Sequence, residues 1–141
     1  MNYKILIADD EKDILEVMAK KIKASGYKVI TAHDGEAAWE KIQKEDPDVI
    51  LLDLTMPKMD GFTVLKNLRE NPPTSKWQPV IIISARDEME DMQKGFSLEA
   101  DHYLTKPCRM NDVLNAIELM INLIPQRKSK VEMDADKKPS H

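Results

Sequence analysis

Apolar residues along this chain fall into short unbroken runs, separated by longer stretches in which they recur every three or four positions. Tyr3–Ala8 (YKILIA) is one such run and reads as a strand. Lys12–Ser25 then places Ile14, Leu15, Met18 and Ile22 on one helical stripe, with Gly26 where a helix C-cap is expected. Lys28–Ala32 is short and β-branched, a second strand. Asp34-Gly35 marks a turn, and Glu36–Lys44 reads as a helix that buries Ala38, Trp39 and Ile42. Val49–Leu52 is a strand, and Phe62–Glu70 a helix carrying Val64, Leu65 and Leu68. The alternation continues with a strand at Pro79–Ile83 and a helix at Asp87–Phe96, whose Met89, Met92 and Phe96 are spaced by three and four. A short strand at His102–Leu104 follows. The last helix is Met110–Ile124, with Met110, Val113, Leu114, Ile117, Met120, Ile121 and Ile124 on one stripe.

Near-continuous apolar strands joined by helices require a parallel sheet covered on both faces. Five such units favour the flavodoxin-like order 2-1-3-4-5, so the expected fold is a doubly wound α/β (βα)5 single domain over residues 1–124. Residues 125–141 differ in kind. They hold Pro125, Pro139 and eight charged residues, with only Val131, Met133 and Ala135 apolar, and read as a disordered charged tail.

A chain of 141 residues with 42% hydrophobic content suits one globular core. Its net charge of -4, with no clustered basic face, gives no footprint for nucleic acid. Cys108 is the single cysteine, so no internal disulfide framework exists and a reducing compartment is the simpler setting. The start MNYKILIADDEKD is no signal peptide, and no apolar stretch approaches the roughly 20 residues of a membrane helix. A cytoplasmic location is expected, with no direct membrane or nucleic-acid partner.

The chemistry lies at the strand ends. "VILLDLTMPKMDG" runs four apolar residues into Asp53, which alone could cap a turn, bind a metal or act as a nucleophile. In a doubly wound sheet the ligand crevice opens at the C-terminal ends of the strands, where strand order reverses. After strand one come Asp9 and Asp10, and after strand three Asp53. After strand four come Ser84 and Ala85, and after strand five Thr105, Lys106 and Pro107. Each piece alone has an ordinary explanation: a helix cap, a loop serine, a surface turn. Together, three carboxylates on one rim repel one another and raise each other's pKa. A cation relieves that, and few hard oxygen ligands suit Mg2+. A carboxylate so placed can also attack a phosphoryl group to give an aspartyl phosphate.

These residues resemble the receiver domain of bacterial response regulators, of the chemotaxis-regulator type, the phosphoacceptor half of two-component signalling. The resemblance covers residues 3–124 and rests on "ILIADDEKD", "ILLDLTMPKMDGF", "VIIISA" and "ADHYLTKP" in register. It implies Asp53 as phosphoacceptor and Asp9, Asp10, Asp53 and the Thr55 backbone carbonyl as the Mg2+ set. It implies Ser84 and Lys106 as phosphoryl-binding groups, with Ala85 and Thr55 flanking the site and tuning hydrolysis. Tyr103 becomes the switch aromatic, and Lys106-Pro107 a cis peptide. Glu99 stands where the family commonly has glycine, and Cys108 where phenylalanine is common. Cys108 is expected to be small, partly buried and unreactive, Trp77 a local packing anchor, and His33 and His102 ordinary surface residues.

The expected activity is a phosphorylation switch rather than a turnover enzyme. A sensor histidine kinase, a phosphotransfer protein or a small phosphodonor would phosphorylate Asp53, and the chain would catalyse only that step and its slow reversal. The face formed by the fourth helix, fifth strand and fifth helix, residues 87–121, would then change affinity for a downstream protein. A homodimer on phosphorylation is a further option, with Leu119 and Leu123 as an apolar hint. The chain would act as a stand-alone receiver or be the receiver piece of a longer, for example DNA-binding, regulator. Two rivals fit less well. A haloacid-dehalogenase-type phosphatase needs D-x-D after the first strand, absent from "ADDEKD", and a flavin carrier needs a Ser/Thr/Gly-rich phosphate loop there.

Overall fold

The computed structural model describes residues 2–85 and 89–136; side chains are described up to Pro125, apart from Met89. Five strands, β1 (Lys4–Ala8), β2 (Lys28–Ala32), β3 (Val49–Leu52), β4 (Val80–Ser84) and β5 (His102–Thr105), alternate with five helices. The helices are α1 (Lys12–Ala24), α2 (Gly35–Glu45), α3 (Gly61–Glu70), α4 (Met89–Ser97) and α5 (Met110–Asp136). All four strand pairings are parallel, in the order β2-β1-β3-β4-β5. That is the doubly wound order expected from the sequence, with β1 and β3 adjacent at its centre.

The period-two geometry of a strand divides each apolar run between two cores. Leu6, Ala8, Ile50, Leu52, Val80 and Ile82 face one side, under Ala38 and Ile42 of α2 and Phe62, Val64, Leu65 and Leu68 of α3. Met92 of α4 and Trp39 pack at the margin of this cluster. Ile5, Ile7, Val49, Leu51, Ile81 and Ile83 face the other side, under Leu15, Met18, Ala19 and Ile22 of α1 and Val113, Ala116, Ile117, Met120 and Ile121 of α5. Both faces of every central strand are dry, which is why these strands carry no polar alternation until they reach the rim.

Three expectations are corrected in detail. Ile14 lies on the exposed side of α1 beside Val17, and Ala19 takes its place in the buried stripe, because the buried arc of α1 is centred on Leu15, Met18 and Ile22. Phe96 is likewise exposed, since Gly95 brings the backbone of α4 close to Ile82 and leaves no room for a large side chain beneath that turn. The disordered tail expected from Pro125 is replaced over residues 125–136 by helix: α5 continues through Pro125 to Asp136. Proline removes one intrahelical donor at that point, but Gln, Arg, Lys, Glu, Met and Ala beyond it are good helix formers. Residues 137–141, and Asp87 at the expected start of the fourth helix, lie outside the described residues.

The connection from α4 to β5 keeps a glycine-type geometry with another residue in it. Ala100 donates its backbone N–H to the Gly95 carbonyl and Glu99 its own to Phe96, the two bonds of a Schellman cap. Glu99 is the left-handed residue of that cap, with φ at 68°. Arg69, at the end of α3, holds the loop from outside. Its Nε donates to the Glu99 carbonyl (3.1 Å), one terminal nitrogen to the Gln78 carbonyl (3.0 Å) and the other to Asp101 Oδ2 (2.9 Å). Asp101 Oδ2 also accepts the Val80 N–H at 2.8 Å, so one guanidinium ties α3, the start of β4 and the start of β5.

A left-handed non-glycine residue costs about 1–2 kcal/mol, and glycine returns about 0.4–1 kcal/mol of that as unfolded-chain entropy. Glu99→Gly is therefore expected to stabilise the fold by about 0.5–1 kcal/mol in urea denaturation. A destabilised variant would show that the Glu99 side chain contributes more than its backbone costs.

Candidate functional site

Each strand of the central trio ends in a polar residue because its last position clears the helices that cover the sheet. β1 delivers Asp9 and Asp10, β3 delivers Asp53, β4 ends on Ser84, and β5 leads through Thr105 to Lys106. The β1–β3 and β3–β4 registers bring these ends to one rim. Asp9 is 3% exposed and Asp53 6%, whereas Asp10 faces solvent. Oxygens of Asp9, Asp10 and Asp53 lie within 4.8 Å of one another, the one such acidic group found among the described residues.

Lys106 crosses from β5 to bridge the two buried carboxylates. Its Nζ donates to Asp9 Oδ2 at 2.8 Å and to Asp53 Oδ2 at 3.0 Å. The second oxygen of each carboxylate is held by nearby backbone. Asp9 Oδ1 accepts the Glu11 N–H at 2.9 Å, and Asp53 Oδ1 accepts the Thr55 N–H at 3.0 Å. Both side chains are thus fixed through both oxygens. The backbone N–H of Lys106 donates to the Ser84 carbonyl at 2.8 Å, and Lys106-Pro107 is a cis peptide, as the resemblance implied.

Burial pushes the Asp53 carboxyl above its ordinary value of 3.8; the Thr55 N–H and Lys106 pull the other way without cancelling it, and the Asp9 charge adds to the rise. Burial pulls Lys106 down, but its hydrogen bonds to Asp9 and Asp53 and their charges outweigh that, so its pKa is raised and it stays an ammonium at neutral pH. The site pairs one carboxylate under electrostatic pressure with a fixed cation, the arrangement expected of functional groups.

The other expected residues are placed as follows. Thr55 and Ala85 are exposed at the mouth of the rim. Ser84 is 1% exposed, on the rung that pairs with Thr105. Tyr103 is not on the rim. Its ring is buried in the core cluster that contains Ile82 and Ala100, under α4. Cys108 is partly buried, and burial raises its thiol pKa, consistent with an inert cysteine. His33 is exposed; His102 is half-buried and its Nδ1 accepts the Tyr103 N–H at 2.9 Å, a structural role the sequence did not signal. Trp77 is half-buried in the α3–β4 connection.

Two site features escaped the sequence reading. Glu11 Oε1 stands 3.9 Å from Lys106 Nζ, a third acid around one ammonium, and its position directly after Asp10 was the available signal. Gly61 seats α3 against the end of β3: a methyl there would overlap the Asp53 carbonyl oxygen, with Leu54 Cα at 2.8 Å. The Gly61 N–H also donates to the Leu54 carbonyl at 3.0 Å, and Asp60 caps α3 through the Thr63 N–H. These bonds close the loop that begins at Asp53.

Three hard carboxylate oxygen donors at this spacing, two of them buried, fit a small divalent cation with retained waters, Mg2+ above all. The raised pKa of Asp53 sets the sign of a stability test without metal. A folded-state carboxyl that holds its proton more tightly than the unfolded chain loses stability as pH rises above 3.8, and the loss persists above its folded pKa. Asp53→Asn is expected to melt above the wild type at pH 7 in EDTA, with the gap closing as pH falls toward 3.8. A gap of the opposite sign, or one independent of pH, would contradict burial as the dominant cause.

Comparison with known proteins matches residues 5–118 to the response regulator receiver domain family. The alkaline phosphatase synthesis transcriptional regulatory protein PhoP of Bacillus subtilis is 43% identical over 113 residues, covering 80% of this chain and 46% of PhoP. Response regulator MprA of Mycobacterium ulcerans is 33% identical, covering 95% of this chain and 54% of MprA. The chain therefore spans about half the length of these curated relatives. Among solved structures, the Francisella response regulator 1452 receiver domain is 35% identical with a TM-score of 0.78, over 84% of this chain and 96% of that one. Vibrio cholerae chemotaxis protein CheY4 is 30% identical with a TM-score of 0.79, over 85% and 99% of the two chains. The strand order, the acidic rim and these matches agree: the chain belongs to the receiver-domain family of two-component response regulators.

Proposed function

We propose that this chain is a phosphorylation switch in which Asp53 accepts a phosphoryl group from a sensor histidine kinase, a phosphotransfer protein or a small phosphodonor in the cytoplasm. The observation that carries this reading is Lys106 Nζ bridging Asp9 and Asp53 beside a third carboxylate, Asp10. A merely structural ion pair needs one acid for one base. Here one ammonium meets two buried acids, which leaves negative charge in place for a further cation and a phosphoryl group.

In the proposed step an Asp53 carboxylate oxygen attacks phosphorus. The new O–P bond forms as the bond to the donor breaks, and the donor atom leaves with the electron pair: an imidazole nitrogen from phosphohistidine, an acetate oxygen from acetyl phosphate. Asp9, Asp10, Asp53 and the Thr55 carbonyl would hold Mg2+, which would supply neutralisation of the phosphoryl charge. The chain's own residues do the rest. The Thr55 N–H and Lys106 keep Asp53 oriented and favour its ionised form. Lys106, freed from Asp53 Oδ2 by phosphorylation, is in reach of a phosphoryl oxygen, and the Ser84 hydroxyl supplies a second donor. Water attack on phosphorus breaks the Asp53 O–P bond, returns the carboxylate and releases inorganic phosphate, so the switch is reversible and the chain catalyses only its own phosphorylation and dephosphorylation.

Output is proposed through α4, β5 and α5, within residues 87–121. Its support is the register: Ser84 pairs with Thr105, and Tyr103 pairs with Ile82 two rungs below, on the same face of the sheet, so a displacement at Ser84 reaches the ring packed under α4. That couples a local charge change to a two-state surface. The length of PhoP and MprA favours a second form of the same reading, in which this receiver is joined to an output domain and dimerises through that face.

Incubation with Mg2+ and acetyl phosphate is expected to add one phosphoryl mass to the wild type and none to Asp53→Asn, by intact mass spectrometry. No mass gain with either acetyl phosphate or a phosphorylated kinase domain would leave a binding scaffold and remove the phosphoryl mechanism.

A further inference from the structure

We propose that Gly35, at the first position of α2, is a positioning residue for Asp53, acting through the loop between β3 and α3. The loop needs a support because its shape is not one its residues prefer. Lys58, at its tip, is left-handed with φ at 69°. The Met59 N–H closes a tight turn onto the Pro57 carbonyl at 2.8 Å. Two backbone N–H groups tie the ends of this loop: the Thr55 N–H donates to Asp53 Oδ1 and the Gly61 N–H to the Leu54 carbonyl.

Gly35 supplies the support from the opposite side. Its N–H donates to the same Pro57 carbonyl at 3.3 Å. Backbone lies on backbone there. A methyl on Gly35 would overlap the Met59 carbonyl oxygen and meet the Met59 carbonyl carbon at 2.5 Å and Cβ at 2.7 Å. Neither side can yield cheaply. Gly35 is held as the start of α2 by the Asp34 cap on Ala37 (2.7 Å), and Met59 is held by Asn67 of α3 against its sulfur (3.7 Å). Lys58 Nζ also lies 3.7 Å from Asp34 Oδ2, a second and weaker tie across the same seam. A side chain at Gly35 would drive the turn outward and load the bonds at both ends of the loop, Gly61 N–H to the Leu54 carbonyl and Thr55 N–H to Asp53 Oδ1.

The consequence for phosphoryl transfer rests on Asp53 being the phosphoacceptor; the geometric link from Gly35 to Thr55 does not. Amide hydrogen exchange on Gly35→Ala is expected to show loss of Thr55 N–H protection by about tenfold or more relative to core amides of β1. The phosphorylation rate with acetyl phosphate at saturating Mg2+ is expected to fall roughly 10- to 100-fold per folded molecule, the scale of a misplaced reacting group. Pro57→Gly loosens the surface on which Gly35 sits without a clash, and decides the matter by the same readouts if Gly35→Ala does not fold. A role confined to stability would lower the melting temperature while Thr55 protection and the rate of the folded protein stayed at wild-type values, and that outcome overturns the proposal. A wild type that is not phosphorylated overturns the functional reading alone, and Thr55 exchange then still decides the role of Gly35.

Discussion

Asp9 and Asp53 are nearly sealed from water at the ends of adjacent parallel strands, and two ionised carboxylates there are costly unless positive charge is placed between them. Lys106 supplies that charge from a residue 97 positions along the chain from Asp9. Its reach depends on β5 lying at the far edge of the sheet beyond β4, and on the connection from β5 to α5 turning back over the rim. The four-strand span from β1 to β5 is therefore fixed by one side chain as well as by the backbone ladder. One ammonium against two buried acids, with Asp10 and Glu11 beside them, does not balance the charge, and the rim is left net negative.

The rest of the fold presents this rim. Apolar alternation splits each strand between two cores, so the sheet has no free face on which the polar residues could lie. They are confined to the strand ends, and the parallel order puts four such ends side by side. The loops above the rim are then shaped by backbone packing. Gly61 brings α3 onto Asp53, Gly35 brings α2 onto the loop that follows it, and Arg69 anchors the approach to β5. Asp53 is held through both oxygens, by the Thr55 N–H and by Lys106.

Much of this was legible in the sequence, for physical reasons. Buried parallel strands are short apolar runs, and their ends are marked by the first carboxylate or hydroxyl, so Asp9, Asp53, Ser84 and Lys106 could be placed on one rim from strand order alone. What failed was information carried by backbone geometry or by shared burial. Ile14 and Phe96 match a helical stripe as well as their neighbours do, and only the packing of α1 and the close approach at Gly95 exclude them. Glu99 occupies a left-handed cap that its residue type does not announce. Gly35 read as half of a turn signal, because a glycine chosen for backbone contact looks the same as one chosen for a bend. Pro125 and the charged residues after it read as the end of order, yet their individual helix propensities carry α5 to Asp136.

An acidic rim left net negative beside Lys106 has capacity for a divalent cation that Lys106 does not replace. Thermal unfolding across a Mg2+ titration at constant ionic strength tests it most directly, with Asp10→Asn as the control because Asp10 is exposed and outside the buried pair. Cation binding at this rim predicts a melting temperature that climbs with Mg2+ by roughly 5–10 °C at a concentration 100 times Kd, and a much smaller rise in the variant. An unmoved melting temperature at millimolar Mg2+, or an equal rise in both proteins, would mean that Lys106 already satisfies the rim and that the site binds no cation through these carboxylates.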